Sequence, residues 1–414
     1  MSGRAGIEAL NVYCGIAQIP VRALFEGRGL DMDRLGNLMM DNRSIALPFE
    51  DPITNAVNAA RPVVDRVGAD RIEMLITSTE SGVDYSKSVA SYVHEYLGLS
   101  RNCRVVEVKQ ACYAATAAVQ MAVGYVASGV SPGGKALVIA TDVALVDERA
   151  AYAEPAMGTG AAAVLVSEDP KVMSVDLGAF GNYSYETMDS ARPAPTFDIA
   201  DADRSLFAYL DCLTNCFRDY GSRVEDVDFA TTFDYLVMHT PFAGMVKAAH
   251  RKLMREFAPG SAVAVEEDFE RRVLPSLAYP RGVGNLCSGS VYLALSSLID
   301  NAPLDGGARV GLYSYGSGCS SEFFSGVVDR DSAAELGAMR IGDHLEGRCE
   351  LAFEEYTELL AANRNTLVAE QDRKIDVGAY EAILRRARND RDLLVNTGTS
   401  NFHRTYEWLD KGRI

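Results

Sequence analysis

Short apolar runs alternate along the chain with longer segments in which apolar residues recur at helical spacing. Runs of this length, rich in valine, isoleucine and alanine, are typical of strands buried on both faces. We predict such strands at residues 74–79, 105–108, 136–141, 161–166, 235–239, 310–314 and 323–327. We predict helices at residues 86–97, 114–127, 205–218, 241–256 and 288–298. The alternation predicts an α/β protein with buried sheets.

The two halves of the chain resemble one another weakly. A pair of glycines precedes the strand at 136–141, and another pair precedes the strand at 310–314. A polar residue also stands at the end of a strand in each half, Glu80 in the first and His239 in the second. We therefore predict an internal duplication of one α/β unit, with chemical groups at equivalent strand ends.

The predicted duplication divides the chain into an N-terminal half, residues 1–175, and a C-terminal half, residues 176–414. From about residue 333 the sequence is richer in charged residues. We predict that this last part is an extension of surface helices, and we assign no chemistry to it.

Composition and charge narrow the classes of function. The formal net charge of −17 argues against binding nucleic acid or an anionic membrane through the overall field. The uncharged stretch at 110–134 is long enough to span a bilayer. Its glutamines, its many small residues and the turn that ends it favour instead a helix at the centre of a large soluble protein. No apolar leader begins the chain, so we expect a cytoplasmic protein.

No motif predicts a metal site or a permanently bound cofactor. The eight cysteines lack zinc-site spacing, and without a leader they do not indicate a disulfide framework. The glycine-rich stretches carry neither a Walker lysine nor the dinucleotide fingerprint. Their glycines would let the backbone approach a ligand closely.

Three polar residues at strand ends could carry chemistry. Cys112 follows the strand at 105–108 and begins the helix at 114–127, so we expect its sulfur near a helix N-terminus, which favours thiolate. His239 closes one strand and Glu80 follows another, and sites gather at strand ends in open α/β sheets. A partly desolvated carboxylate there can accept a proton. From these residues alone, an inert buried cysteine, a structural histidine and a solvated glutamate stay open.

Five motifs occur in a fixed order over residues 5–330. They are Thr79-Glu80-Ser81-Gly82 with Ser86-Lys87-Ser88, Gln110-Ala111-Cys112-Tyr113, Met238-His239-Thr240-Pro241-Phe242, Gly284-Asn285-Leu286 and Ser314-Tyr315-Gly316-Ser317-Gly318. In this order they resemble the 3-hydroxy-3-methylglutaryl-CoA (HMG-CoA) synthase family of thiolase-fold condensing enzymes. The resemblance implies a thiolase-like, five-layered αβαβα fold with internal pseudo-duplication, a homodimer and an acyl-cysteine mechanism.

The resemblance also implies residue roles. Cys112 would take an acetyl group from a thioester, Glu80 would remove a proton from its methyl group, and His239 would orient and polarise the acceptor's β-ketone. Backbone N–H groups of Cys112 and Ser317 would form an oxyanion hole. Water would finally hydrolyse the enzyme thioester and leave a free carboxylate. Substrate-binding roles are implied for Tyr113, Asp142, Asp189, Asn285, Gly316 and Ser317.

Residues 7–13 and 44–52 are more similar to the branch of this family found in polyketide synthase clusters. Members of that branch add acetyl from one acyl carrier protein to the β-ketone of a chain on another, which creates a β-branch. We therefore predict phosphopantetheine thioesters as substrates and acyl carrier proteins as partners. Carrier proteins are acidic, which predicts a local basic rim, although each single candidate could equally be an ordinary solvated charge. The candidates are Arg34, Lys247, Arg251, Lys252, Arg271 and Arg272.

Three alternatives stay open. An HMG-CoA synthase of the mevalonate pathway would use acetyl-CoA and acetoacetyl-CoA, but Ala156 stands where many CoA-using members carry threonine, and Ala114-Ala115 where many members carry glycine. A ketoacyl synthase would use a different set of catalytic groups, and a thiolase would need a second catalytic cysteine, for which Cys319 is the candidate. A carrier-binding scaffold without chemistry is disfavoured because all three catalytic candidates are present.

Overall fold

The computed structural model describes residues 4–411, with residue 152 described by its backbone alone. The strands are β1 (Gly6–Tyr13), β2 (Ala17–Pro20), β3 (Asn42–Ile45), β4 (Ile72–Ser78), β5 (Arg104–Val108), β6 (Lys135–Asp142), β7 (Gly160–Ser167), β8 (Met173–Ser184), β9 (Ser190–Ala194), β10 (Phe197–Ala200), β11 (Tyr235–Met238), β12 (Ala308–Gly316), β13 (Ser320–Val328), β14 (Cys349–Glu350), β15 (Arg373–Lys374), β16 (Leu393–Ser400) and β17 (His403–Leu409). The helices are α1 (Val21–Arg28), α2 (Leu35–Leu38), α3 (Pro52–Val67), α4 (Val89–Leu97), α5 (Ala114–Ala127), α6 (Ala202–Arg223), α7 (Ala243–Phe257), α8 (Ala262–Arg272), α9 (Ala278–Val283), α10 (Ser290–Asn301), α11 (Arg330–Gly337), α12 (Ile341–Gly347), α13 (Phe353–Asn363) and α14 (Glu381–Arg386).

Every strand and helix predicted above coincides with an observed element, with ends that differ by a few residues. The prediction missed β1, the strand next to β7, because Glu8 and Asn11 interrupt its apolar run. Both side chains are nevertheless buried. Lys135 donates a hydrogen bond to the Glu8 carboxylate at 2.7 Å, and the Asn11 amide donates to a main-chain carbonyl of α3 at 2.8 Å. The polar pattern therefore hid a strand whose two polar side chains each make a hydrogen bond inside the protein, although Glu8 Oε2 and Asn11 Oδ1 find no partner in the described part of the chain.

The strand order repeats, which confirms the predicted duplication. In the first half the order is β1-β7-β6-β4-β5, and in the second half it is β8-β13-β12-β11. The directions repeat as well: β1–β7 and β7–β6 are antiparallel and β6–β4 is parallel, and β8–β13, β13–β12 and β12–β11 follow the same sequence. Strands β4 and β11, which precede Glu80 and His239, are therefore equivalent.

Helices cover and separate the two halves of the sheet. Helices α3 and α4 pack on one side of the first half, and α6 and α7 pack beside the second. Helices α5 and α10 lie in the centre, where the hydroxyls of Thr116 and Tyr292 are 3.3 Å apart. Helix α5 packs on β4, β6 and β7 and also reaches β13, because Gln120 donates to Glu322 at 2.7 Å. The layers follow the α-β-α-β-α order expected of the thiolase fold.

Two predicted features need correction. The predicted boundary at residue 175 falls inside β8, which pairs with both β1 and β13 and so joins the halves into one nine-stranded sheet. The part from about residue 333 is not an extension of surface helices alone, because β15, β16 and β17 form a sheet whose central strand is mostly buried. A buried ion pair of 3.0 Å joins Arg404 of β17 to Asp51, the residue that caps α3. The prediction was wrong because a high content of charged residues does not show whether a charge is exposed or, like that of Arg404, paired inside the protein.

The uncharged stretch at 110–134 contains α5, whose buried face carries alanine, valine and threonine. Among residues 4–411, no helix meets the length and apolarity needed for a transmembrane segment.

Candidate active site

The sulfur of Cys112 lies at the start of the central helix α5. After β5 the chain makes a 3-10 turn at Ala111–Tyr113, which leads directly into α5. The turn begins with Ala111 at a φ of +44°. The thiol of Cys112 donates a hydrogen bond to Oε1 of Glu80 at 3.1 Å. The structure thus brings together the two residues that the sequence predicts as nucleophile and base, from the ends of β4 and β5.

Opposing effects act on the pKa of the Cys112 thiol. A hydrogen bond with Cys287 lowers it, whereas burial and the charge and hydrogen bond of Glu80 raise it, and the net pKa is about 12. The thiol is therefore protonated at neutral pH. A proton must leave this sulfur during any attack on a thioester, because the thiolate is the reactive form.

Asp142 holds the backbone next to Glu80. Its Oδ1 accepts hydrogen bonds from the Glu80 N–H at 2.7 Å and from the Ser81 hydroxyl at 3.0 Å. Burial and the charge of Glu80 raise the pKa of Asp142 to about 7, while Arg192 lowers it. Asp142 is thus a buried carboxylate that positions Glu80, and its substrate-binding role stays a prediction.

Arg192 belongs to the site and was missed by the sequence analysis. It comes from β9, donates to the Glu80 carbonyl at 3.3 Å and to the Ser81 hydroxyl at 3.1 Å, and forms an ion pair with Asp198 at 2.6 Å. No sequence signal marked Arg192, because β9 is distant from β4 in the sequence. Only the folded chain brings Arg192 to Glu80 and Ser81.

Cys287 is a second thiol beside Cys112, also missed. It is buried, adopts a φ of +49° and stands in the 3-10 turn Cys287–Gly289 that leads into α10. One ligand atom from each of Glu80, Cys112 and Cys287 lies within 4.8 Å of the others. Its place two residues after Asn285, at the start of the second central helix, is the signal that could have found it.

His239 occupies the strand end equivalent to that of Glu80. The backbone N–H of His239 donates a hydrogen bond to the Tyr313 carbonyl at 2.7 Å. Its backbone carbonyl accepts a hydrogen bond from the Tyr209 hydroxyl at 2.7 Å. Burial lowers the pKa of the imidazole to about 3, so the ring is neutral at pH 7. Nδ1 is buried and finds no hydrogen-bond partner in the described part of the chain. Within residues 4–411, the ring makes no hydrogen bond to Cys112 or Glu80.

Asn285 is held between two loops of the site. Its N–H donates to the Ala156 carbonyl at 2.8 Å, and its carbonyl accepts the Gly158 N–H at 3.0 Å. Its Oδ1 accepts hydrogen bonds from the Cys287 N–H at 2.9 Å and from the Ser290 hydroxyl at 2.7 Å. The side-chain oxygen is thereby fixed, and the amide nitrogen is the end that has no strong internal partner, since its contact is the sulfur of residue 157 at 3.7 Å.

The loop after β12 packs against the turn that carries Cys112. A Cβ at Gly316 would lie 2.5 Å from the Gln110 carbonyl oxygen and from the Tyr113 nitrogen, so only glycine fits. Asp189, whose substrate-binding role stays a prediction, anchors this loop: it accepts the Gly318 N–H at 2.9 Å and the Tyr315 hydroxyl at 2.6 Å. These contacts fix the loop that contains the half-buried Ser317.

The Tyr113 side chain is used inside the protein. Its hydroxyl donates to Glu322 at 2.8 Å, and burial raises the pKa of that glutamate to about 7. A substrate that contacts the Tyr113 hydroxyl would have to replace this hydrogen bond, and the substrate-binding role of Tyr113 stays a prediction.

The basic candidates share neighbouring elements but are largely paired. Lys247 and Arg251 of α7 both pair with Glu266, and Lys252 pairs with Glu256. Arg271 of α8 pairs with Asp268 at 2.8 Å. Helix α2, which directly follows Arg34, packs against α7.

Arg272 corrects the prediction of a basic rim in one place. Its side chain is fully buried, bonds to Asp268 at 2.8 Å and donates to the Phe229 carbonyl at 2.8 Å. A side chain that is fully buried and paired with Asp268 cannot contact a carrier protein.

The thiolase alternative fails on position. Cys319 is buried with its sulfur 3.5 Å from that of Cys212, in the core of the second half. The thiol next to Cys112 is Cys287, which does not follow the glycine-rich loop after β12.

Known proteins match this chain over nearly its whole length. The family models for the N-terminal and C-terminal parts of hydroxymethylglutaryl-coenzyme A synthase match residues 54–171 and 255–376. The chain is 45% identical to polyketide biosynthesis 3-hydroxy-3-methylglutaryl-ACP synthase PksG of Bacillus subtilis, covering 98% of this chain and 99% of the relative. It is 31% identical to hydroxymethylglutaryl-CoA synthase of Enterococcus faecalis, covering 93% and 99%.

Solved structures give the same result. The HMG synthase of the curacin biosynthetic pathway, in complex with apo donor-ACP, superposes with a TM-score of 0.95 at 46% identity, covering 98% of this chain and 100% of the other. MvaS in complex with 3-hydroxy-3-methylglutaryl coenzyme A superposes with a TM-score of 0.86 at 29% identity, covering 98% and 99%.

Proposed function

Because this chain belongs to the hydroxymethylglutaryl-CoA synthase family, we propose that it joins an acetyl group carried on Cys112 to the β-ketone of a polyketide intermediate. Both groups would arrive as phosphopantetheine thioesters of acyl carrier proteins. The observation that carries this proposal is the 3.1 Å contact between the Cys112 sulfur and the Glu80 carboxylate at the start of α5.

The first step is a thioester exchange. The Cys112 sulfur attacks the acetyl carbonyl, the carrier leaves as a free thiol, and the proton of Cys112 ends on that thiol. The N-terminus of α5 and the backbone N–H groups of Cys112 and Ser317 are suited to stabilise the oxyanion formed on the way. Losing one such donor typically costs about 3 kcal/mol of transition-state stabilisation.

Carbon–carbon bond formation comes second. Glu80 removes a methyl proton from the acetyl group, and the resulting enolate carbon attacks the β-ketone of the acceptor. The ketone oxygen becomes an alkoxide and takes up the proton that Glu80 removed, which gives the 3-hydroxyl group and restores the Glu80 carboxylate. Tethering on Cys112 makes this attack intramolecular within the complex, which lowers its entropic barrier. Glu80 lies next to the sulfur that carries the acetyl group, so it is within reach of the methyl protons.

His239 and Asn285 would bind the acceptor. A neutral imidazole can donate one hydrogen bond to a ketone oxygen without placing a positive charge in the pocket. The Asn285 amide nitrogen can donate a second hydrogen bond. Water then hydrolyses the thioester, which releases the Cys112 thiol and leaves the new branch as a carboxylate.

The preference for carrier proteins rests on the relatives. The relative that is 45% identical is named for an ACP substrate, whereas the one that is 31% identical is named for a CoA substrate. The curacin synthase has been solved with its donor ACP. We propose that exposed cations of α7 and α8, above all Arg251 and Arg271, contribute to carrier contact together with Arg34.

The test is to incubate the purified protein with acetyl-carrier protein and, separately, with acetyl-CoA, and to follow the mass of the intact protein. We expect acetylation to be much faster from the carrier protein and to be absent in Cys112→Ser. Faster acetylation from CoA would favour the mevalonate reaction instead. The homodimer, the cytoplasmic location and the absence of a permanently bound cofactor stay predictions.

A further inference from the structure

The two central helices each begin with a cysteine. Cys112 stands in the 3-10 turn before α5, and Cys287 stands in the 3-10 turn before α10. Helix α5 precedes β6 and α10 precedes β12, which are equivalent strands of the two halves. The internal duplication therefore brings two helix starts, and with them two thiols, to one point beside Glu80.

The three side chains have the spacing of a metal site. Their ligand atoms lie within 4.8 Å of one another. Tetrahedral zinc with Zn–S bonds of about 2.3 Å and Zn–O bonds of about 2.0–2.2 Å holds its ligand atoms about 3.5–3.8 Å apart. The Cys112–Glu80 contact of 3.1 Å has to open by only a few tenths of an ångström. Two sulfurs and one carboxylate are a donor set that suits zinc, with the fourth position left for water.

Charged groups lie next to the three side chains. Glu80, Asp142 and Asp198 place three carboxyl groups around the site, and Arg192 is the cation that faces them, paired with Asp198. Asp142 is buried, and its Oδ2 has no hydrogen-bond partner in the described part of the chain. The two charges of the ion would replace the two protons that the thiols lose, so the net charge of the cluster would not change. Asp142 would hold the ligand Glu80 in place through the 2.7 Å hydrogen bond to the Glu80 N–H.

We propose that Glu80, Cys112 and Cys287 bind one Zn²⁺ ion, and that this binding reversibly switches the enzyme off. The inhibitory effect rests on the function proposed above. Each thiol loses its proton to solvent, and the two thiolates and the carboxylate bind the ion, with no change of oxidation state. The Cys112 sulfur and the Glu80 oxygen are then both occupied, so acetyl transfer and proton removal stop together. Removing the ion restores both groups.

The experiment separates metal binding from catalysis. Protein freed of metal with a chelator and kept reduced with a phosphine is titrated with Zn²⁺ for affinity, and with Co²⁺ for its thiolate charge-transfer absorption. The same samples are then acetylated by acetyl-carrier protein. Cys287→Ser is compared with the wild type and with Cys103→Ser, which removes a half-exposed thiol outside the cluster.

We expect the wild type and Cys103→Ser to bind one equivalent of Co²⁺ with thiolate absorption, and to lose acetylation on adding Zn²⁺ until chelator is added. Cys287→Ser should bind Zn²⁺ at least about tenfold more weakly, because it lacks one ligand. Equal Zn²⁺ affinity in Cys287→Ser and the wild type, or Co²⁺ bound without thiolate absorption, would overturn the proposal. If no metal-free sample is acetylated, the proposed function fails while the binding result still stands.

Discussion

The ends of β4 and β11 hold equivalent places in the two halves, yet they offer opposite surroundings. Glu80 follows β4 among polar partners: the Cys112 thiol, the Asp142 carboxylate that accepts its N–H, and Arg192 at its carbonyl. His239 follows β11 among aromatic rings, beside Tyr209, whose ring in turn contacts Tyr313 and Tyr315. The end of β4 surrounds Glu80 with polar groups, whereas the end of β11 buries His239 and keeps its imidazole neutral.

The difference shows how one duplicated unit can supply two kinds of chemistry. A glutamate that removes a carbon-bound proton acts as the carboxylate, and the Cys112 thiol donates a hydrogen bond to Glu80. A group that polarises a ketone by hydrogen bonding works without a charge, and burial keeps the imidazole neutral. The scaffold fixes the places of both groups, and the residues on the following loops and helices fix their charge.

The largest expected effect is at the polar strand end. Glu80→Gln should still form the acetyl-enzyme, because losing the Glu80 charge removes one cause of the raised pKa of Cys112. Condensation should fall about 10²- to 10⁴-fold, as expected for the loss of a general base. Intact-mass kinetics of acetylation and product formation in single-turnover reactions measure the two steps separately. Glu95→Gln, an exposed position on α4, is the control. Failure of acetylation in Glu80→Gln would contradict the division of roles.

The next effect is at the aromatic strand end. His239→Ala should form the acetyl-enzyme at the normal rate but use the acceptor poorly, with condensation lowered about 10²- to 10³-fold by the loss of one hydrogen-bond donor. The measurement is the condensation rate as a function of acceptor concentration. An unchanged dependence on the acceptor would show that the ring has no contact with it. His403→Ala, on an exposed residue of β17, controls for the general loss of an imidazole.

The sequence could predict both strand ends but not what surrounds them. Apolar runs and the residues that close them located Glu80, Cys112 and His239, because local patterns set where strands stop. Arg192, Cys287 and the tyrosines around His239 come from segments distant in the sequence, and only the assembled fold brings them there. Asp189 shows that a residue matched to a substrate role also has a structural one, since it holds a loop through the Gly318 N–H and the Tyr315 hydroxyl.

His239 and Asp142 should change the free energy of unfolding in opposite directions as the pH falls. Burial lowers the pKa of His239 from 6.5 to about 3, so the unfolded state binds a proton first and His239 destabilises the fold as pH falls below 6.5. Burial raises the pKa of Asp142 from 3.8 to about 7, so Asp142 stabilises the fold as pH falls from 7 towards 4. Each effect amounts to about 2 kcal/mol between pH 7 and pH 5.

Urea unfolding at pH 7 and pH 5 measures these slopes. Relative to the wild type, His239→Gln should lose less free energy of unfolding on acidification, and Asp142→Asn should lose more. Other buried groups, such as His344, contribute equally to all three proteins and cancel in the comparison. Identical slopes in the three proteins would mean that neither group keeps its shifted pKa in the folded state.

The smallest effect should appear at the cations of the second half that we propose to contact the carrier protein. The side chains of Arg251 and Arg271 are 53% and 63% exposed, and each already pairs with an acidic residue. Reversing both charges to glutamate should slow acetylation from acetyl-carrier protein about tenfold at low ionic strength, because local charge complementarity acts mainly on association. The effect should shrink at high salt. Acetylation from acetyl-CoA should change less, because the acidic protein surface is then absent.

Arg385→Glu, whose side chain is 71% exposed on α14, reverses a paired surface charge at a different place and is the matched control. Equal slowing by Arg385→Glu would show that net charge alone governs the encounter, and the two halves would then differ only at their strand ends.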